Sequence, residues 1–317
     1  MFDKIMSMNA LQGARIWMRD HHPFKSKTTW YDFLKKMSLK ITENDTSERA
    51  ASVSYSLILA VFPTVIFLFT LIPYIPIPHL DQQIMSFFKR VLPGDTYSSV
   101  DTTIQDIISR PRGGVLSLGF LLALYSATSG LVALMNAFTS SHKSEDQRGF
   151  FKIRGVALGL TFTLAFALFL AILGLIVGGI VSDYLLRFGI LNNVIIVNLL
   201  AVARYLIVCA VIVAAVSIIY RYGPDVNMKW TFVTPGSTAA SLLIVLTTLA
   251  FSYYVSNFGS YNKVYGSIGT LIALMIWINL IALLLILGFE MNVALFNLEG
   301  DKNPNMAQKT TNATSNT

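Results

Sequence analysis

Charge is scarce in this sequence, and so are the side chains from which enzymes build reactive centres. Only 13% of its 317 residues are Asp, Glu, Lys or Arg, about half the share that a soluble domain spends on its water-facing surface. Cys209 is the single cysteine, so the chain holds no internal disulfide and no cysteine-based metal framework. Its four histidines (His21, His22, His79 and His142) are scattered, without ligand spacing. The nucleophile elbow G-x-S-x-G, the zinc motif H-E-x-x-H and the phosphate loop G-x-x-x-x-G-K-S/T are all missing. No catalytic residue, metal or cofactor is therefore expected, and the chain does not read as an enzyme. No stretch alternates polar and apolar residues at period two, which argues against a membrane β-barrel. The first 49 residues are polar and mixed in charge, with no apolar core of the kind a cleavable signal carries. The first apolar run is expected to serve as the insertion signal.

What the sequence has in abundance is long apolar runs. Hydrophobic residues make up 54% of it, and they cluster in stretches long enough to cross a hydrocarbon core of about 30 Å, which takes about 20 residues. Six spans are predicted, at about 52–75, 115–136, 155–182, 199–219, 235–255 and from 267 to Glu290 or beyond. Inside lipid each backbone N–H and C=O must pair within its own segment, so these runs must be helices. The fold class is all-α: a polytopic membrane bundle of about six helices, with an interfacial N-terminal helix and a short helical outer loop. In domain terms, 1–49 reads as an N-terminal segment, 50–296 as the membrane domain and 297–317 as a disordered tail rich in Asn, Thr and Lys.

Orientation follows from lysine and arginine near the spans. One side carries Lys35, Lys36, Lys40, Arg49, Lys143, Arg148, Lys152, Arg154, Arg221, Lys229 and Lys302, and the other Lys89, Arg90, Arg110, Arg112, Arg187 and Lys263. The richer side is expected to be cytoplasmic, with both termini on it. The net charge of +7 then faces anionic lipid. Nucleic acid is not an expected partner, because no recognition motif accompanies the charge. Trp30, Phe33, Leu34, Met37 and Ile41 recur at helical spacing among lysines. They predict a helix that lies in the membrane interface or packs on the bundle. Ile84, Phe87, Phe88, Val91 and Leu92 predict a second short helix, ended by Pro93-Gly94.

Polar groups inside a bilayer are costly, so each one asks for a reason. Arg204 lies within the fourth run, where it either snorkels to the headgroups or meets an anionic substrate. Glu290 closes the last charge-free run. It is expected to pair with a neighbour, Arg154 or Arg221 on the same side of the membrane, or else to relay protons. Asn279 sits in the middle of the sixth span. Tyr261, Asn262 and Tyr265 fall in a tight connection whose Gly259, Gly266 and Gly269 would allow an unwound re-entry. Tyr55 forms a stripe with Ser52, Ser56 and Leu59, expected to pack against another helix, and Pro63 follows it. Ser126, Ser129 and Gly130 offer a surface for close helix packing.

Several stretches in order then resemble the YihY/BrkB family of bacterial inner-membrane proteins, over about residues 30–296. They are Ala50-Ala-Ser-Val-Ser-Tyr55 running to Phe62-Pro63, Ser129-Gly130 through Asn136, Arg148 to Arg154, and Tyr220-Arg-Tyr-Gly-Pro224. Pro235-Gly236, Phe251 through Gly269, Trp277 and Gly288-Phe-Glu290 complete the series. Phe289 stands where the family pattern has a small residue. The resemblance implies a multi-helix inner-membrane protein of undefined biochemical role. An old ribonuclease label for the family is regarded as a misassignment, and movement of envelope lipids has been proposed for its members.

Two readings of function follow. The first is a transporter or flippase-like protein whose substrate is a lipid or envelope precursor, amphipathic and anionic, with Arg204, Glu290, Asn279, Tyr261, Asn262, Tyr265, Tyr55, Arg154 and Arg221 as candidate binding or coupling residues. The second is an envelope-integrity scaffold without transport. A membrane-bound ribonuclease is a remote third. Membrane lipids are expected partners in every case, and the sequence leaves homo-oligomerisation open.

Overall fold

A computed structural model of the chain describes residues 12–21, 29–42, 44–76, 80–91, 101–102, 104–108, 111–141, 148–187, 194–225, 231–256 and 259–300. Among them there is no strand. The helices are α1 (Gln12–Asp20), α2 (Trp30–Thr42), α3 (Asn44–Leu71), α4 (Leu80–Val91), α5 (Gly113–Ser141), α6 (Phe150–Arg187), α7 (Val194–Tyr222), α8 (Pro235–Ser256) and α9 (Gly259–Gly300). A 3-10 turn at Ile72–Tyr74 extends α3. Six helices, α3 and α5 to α9, are long and apolar enough to cross a membrane. The protein is a polytopic helical membrane bundle.

The helices outrun their apolar cores, because the i to i−4 ladder continues wherever side chains permit it. The extension matters at α3, which starts among Asp45, Glu48 and Arg49 and so carries those charges on the same rigid rod as the apolar span. Pro63 sits inside that helix without ending it. At the other end of the chain, α9 runs unbroken through Gly259, Gly266 and Gly269. The unwound re-entry is therefore not formed, since nothing in this stretch removes a backbone donor as proline would. The helix also includes Asn297 to Gly300, so the tail assignment began too early; residues 301–317 lie outside the described residues. Tyr31 and Phe33 of α2 are buried, and this helix packs on α9. The Ile41, Phe87, Phe88 and Val91 side chains, and Leu92 to Gly94, lie outside the described residues.

The spanning helices form a closed ring. Each packs on its chain neighbour, from α3 and α5 round to α8 and α9, and α9 returns to α3 while also touching α5. Missing side chains make two of these crossings close. A Cβ on Gly130 of α5 would lie 2.6 Å from Leu57 Cδ2 of α3. At the crossing of α8 and α9, a Cβ on Gly236 would overlap the Gly288 carbonyl oxygen, and one on Gly288 would lie 2.6 Å from Ala240 Cβ.

Packing is uneven along the ring. The stripe Phe289, Leu285, Ala282, Ile278 on α9 is buried, yet the same stripe continues to Met275 and Leu271, which are 42% and 39% exposed. On α7, Tyr220 and Val216 are buried, Val213 and Cys209 are half-buried, and Leu206 and Val202 are 63% and 54% exposed. In α6 and α8 no described residue is buried beyond Leu160 and Ser241 respectively. The buried cluster at the end that holds Glu290 thus draws on all six spanning helices. Towards the opposite end the stripes of α7 and α9 lose that cover, while α3 and α5 stay packed at Phe67 and Gly119.

Candidate functional site

The closed end is built around one buried ion pair. Arg49 Nη2 lies 2.9 Å from Glu290 Oε1, and the carboxylate side chain is fully enclosed. The Arg49 Nη1 group donates to the Ala137 carbonyl at 2.9 Å and to Ser141 Oγ at 2.5 Å. A second carboxylate, Asp45, approaches from the same helix at 3.2 Å and is largely exposed. One guanidinium therefore ties α3, α5 and α9 together, using the planar set of donors that a lysine lacks. The partner of Glu290 is Arg49, and not Arg154 or Arg221 as the sequence suggested. Arg221 points out beside the buried Tyr220, and Arg154 is engaged on α5.

Beside this pair, the start of α8 is held by a reciprocal cap. Ser237 N–H donates to Thr234 Oγ1, and Thr234 N–H to Ser237 Oγ, both at 3.0 Å, with Pro235 at the first helical position where its missing donor costs nothing. Asn292 of α9 completes it. The Asn292 amide accepts from Gly236 N–H and donates to Thr234 Oγ1, each at 2.8 Å. That bridge is possible because Gly236 and Gly288 let the two backbones touch. Phe138, Tyr220 and Phe289 fill the centre, with Phe138 and Phe289 stacked at 4.6 Å and Tyr220 edge-on to both. The Tyr220 hydroxyl donates to the Leu285 carbonyl at 2.7 Å, which satisfies its polar tip inside the core. Phe289 is thus a central packing residue. Arg148 closes the periphery, donating to Gly223 O at 2.8 Å and lying 3.7 Å from Asp225.

Arg154 reaches from the first turns of α6 towards the middle of α5. Its Nη1 donates to Ser129 Oγ at 2.9 Å and Thr128 Oγ1 at 3.1 Å, and the guanidinium lies 4.6 Å over the Tyr125 ring. Ser129 is about 18 Å of helix axis from the α5 terminus at Ser141, at about 1.5 Å per residue. Among the described residues no carboxylate pairs with Arg154. A cation held by hydroxyls and an aromatic face, deep along the span, is a place where an anionic group gains more than at the surface.

The remaining candidates are dispersed. Arg204 lies against α6, where a Cβ on Gly178 would come 2.8 Å from its Cδ; its Nε is enclosed without a hydrogen-bond partner among the described residues, and its guanidinium sits 5.1 Å from the Tyr205 ring centre. It is off the core-facing stripe of α7. Asn279 donates to Ser54 Oγ at 3.2 Å and links α9 to α3. Tyr55 is 64% exposed, with Leu59 and Ser52 exposed beside it. That stripe faces away from the bundle, because Ala50, Val53 and Leu57 supply the packed face of α3. Tyr261, Asn262 and Tyr265 belong to the first turns of α9, and their side chains lie outside the described residues. Among the described residues no three His, Cys, Asp or Glu side chains converge.

Sequence reasoning did not single out Arg49, which stands one residue before the charge-free run and counted only towards orientation. Thr234 was missed too, although Thr-Pro-Gly-Ser is a readable helix start.

Comparison with known proteins adds a family. The family model described as Virulence factor BrkB matches residues 37–312. A putative ribonuclease-like protein, YfkH of Bacillus subtilis, is 31% identical over 86% of this chain and 98% of its own length. A UPF0761 membrane protein of Tolumonas auensis is 21% identical over 78% of this chain and 79% of its own. A UPF0761 membrane protein of Pseudomonas aeruginosa is 22% identical over 81% and 61%. No solved structure matches the chain.

Proposed function

The chain belongs to the Virulence factor BrkB family, and on that premise we propose that this membrane protein moves an amphipathic, anionic envelope component across the bacterial inner membrane, with both termini cytoplasmic. The observation that carries the reading is the unequal packing of the ring. The stripes of α7 and α9 are buried beside Glu290 and exposed at the far end, which is the form of a vestibule sealed at its base. Alternating access needs such a pair of ends, one shut while the other is open. The Arg49–Glu290 pair and the Phe138–Tyr220–Phe289 plug form the shut gate, and the Arg154 cradle supplies positive charge for an anionic headgroup. For the ribonuclease-like name of the Bacillus relative, no three His, Cys, Asp or Glu side chains converge here among the described residues, and Asp45 and Glu290 are both engaged by Arg49.

The single cysteine makes a direct test. Cys209 stands on the α7 stripe where burial gives way to exposure. In right-side-out vesicles a membrane-impermeant, anionic thiol reagent is expected to modify Cys209 from the outer side, and to reach it far more slowly in inverted vesicles. Reconstituted protein is expected to move fluorescent phosphatidylglycerol between leaflets. Arg154→Gln should slow that movement about tenfold or more, since hydrogen bonds to a charged group contribute about 1.5–3 kcal/mol, while Arg204→Leu leaves it near the wild-type rate. A Cys209 inert from both sides, with no lipid movement, would sink the transport reading and favour the scaffold.

A further inference from the structure

The flank of the bundle holds a second feature that the transport reading does not use. Between α6 and α7, near the closed end, lies a groove of about 520 Å³ lined by Val156, Gly159, Leu160, Thr163, Ile218 and Tyr222, with Phe232 at its edge. Its lining is mainly apolar, and both helices are membrane spans here. Gly159 opens directly onto this space: a Cβ there meets nothing within 4 Å. Thr163 adds no free polarity, because its hydroxyl is spent on the Gly159 carbonyl at 2.8 Å.

The groove is apolar along its length and basic at its mouth. On α6 the stripe Thr163, Gly159, Val156 continues one turn on to Lys152, which is exposed. On α7, Arg221 follows Ile218 by one turn and is also exposed, and no carboxylate pairs with either among the described residues. Tyr222, 57% exposed, stands between the two regions with a ring suited to the headgroup level. A tail buried in an apolar slot beneath two cations at the membrane edge describes one chemical class. We propose that this groove binds an anionic phospholipid as a resident ligand, one acyl chain along Gly159 and the phosphate between Lys152 and Arg221. Lipid surrounds this flank of the span, so the occupant is at hand. Basic sites between spanning helices recognise anionic headgroups by the same physics. The site is lateral, apart from the stripes of α7 and α9 that face the centre, and stands whether or not the protein transports.

The test uses the whole purified protein in detergent, titrated by native mass spectrometry with dioleoyl-phosphatidylglycerol and, separately, dioleoyl-phosphatidylcholine. Wild-type protein is expected to bind the anionic lipid about thirtyfold more tightly, as two basic residues at a surface would give. Gly159→Phe, which fills the slot, should abolish tight binding of both lipids. Lys152→Gln with Arg221→Gln, two exposed changes that leave the fold intact, should retain binding and erase the preference. Equal affinity for the two lipids in the wild type, or an unchanged preference in the double variant, overturns the proposal. So does undiminished binding by a folded Gly159→Phe protein.

Discussion

Arg49→Leu is expected to destabilise the protein by about 3–5 kcal/mol, the usual cost of leaving one member of a buried pair uncompensated. The size follows from the geometry of the closed end. The Glu290 side chain is fully enclosed and Arg49 is 11% exposed, so water is not available to solvate the carboxylate that remains. The same change removes the guanidinium donor to Ser141 Oγ and to the Ala137 carbonyl, although that carbonyl keeps the Ser141 hydroxyl as a donor at 3.0 Å. Glu290→Gln should cost less, because the amide keeps a hydrogen bond to the guanidinium. The informative protein is the double variant Arg49→Leu/Glu290→Leu. Replacing a whole buried pair with apolar residues is often neutral or better, so its thermal midpoint in detergent should recover most of the loss. A double variant as unstable as Arg49→Leu alone would show that Arg49 acts chiefly through α5 and not through Glu290.

Gly236→Val is the second change with a large expected effect. A Cβ at this position overlaps the Gly288 carbonyl and lies 2.6 Å from the Asn292 Cγ, so α8 and α9 must separate. Overpacking of a well-filled core costs about 1–3 kcal/mol, occasionally more. Here the separation also breaks the Asn292 bridge to Gly236 N–H and Thr234, and each unsatisfied buried group adds about 1–3 kcal/mol. Gly236→Val is expected to fail to accumulate in membranes, whereas Gly155→Val, where a Cβ meets nothing within 4 Å, should accumulate normally. Comparable levels of the two proteins would mean that the crossing of α8 and α9 gives way without penalty.

The spans were legible in the sequence because a hydrocarbon solvent leaves only one secondary structure open to an apolar run. Their ends were not, since a helix stops where its hydrogen bonds fail and not where polarity rises. That difference hid Arg49: polar by position, it is carried inward by α3 and becomes the partner of Glu290. The candidate site was legible residue by residue but not as a set. Glu290 stood out as an acid at the end of a charge-free run, yet its partner depends on which helices meet, and the ring that brings α9 back to α3 has no signature along the chain. Tyr55 failed for a related reason. A serine–tyrosine stripe reads as a packing face by composition, but Ala50, Val53 and Leu57, on the adjoining face, are what α5 and α9 meet. Gly130 could be read, since small residues are what close crossings require, whereas Gly236 entered only as part of the family resemblance.

The length of α9 has a mechanical corollary. Its residues from Gly259 to Gly300 form one uninterrupted rod of about 63 Å at about 1.5 Å per residue, well beyond the roughly 40–45 Å of a complete bilayer. A rod of that kind cannot lengthen or fold to reshape the membrane domain; it can only lean. With Glu290 pinned to Arg49 as a fulcrum, a lean of about 10° would carry the Gly259 end sideways by about 8 Å, given the same rise per residue. Small slackening at one tether would thus become a wide excursion at the far rim.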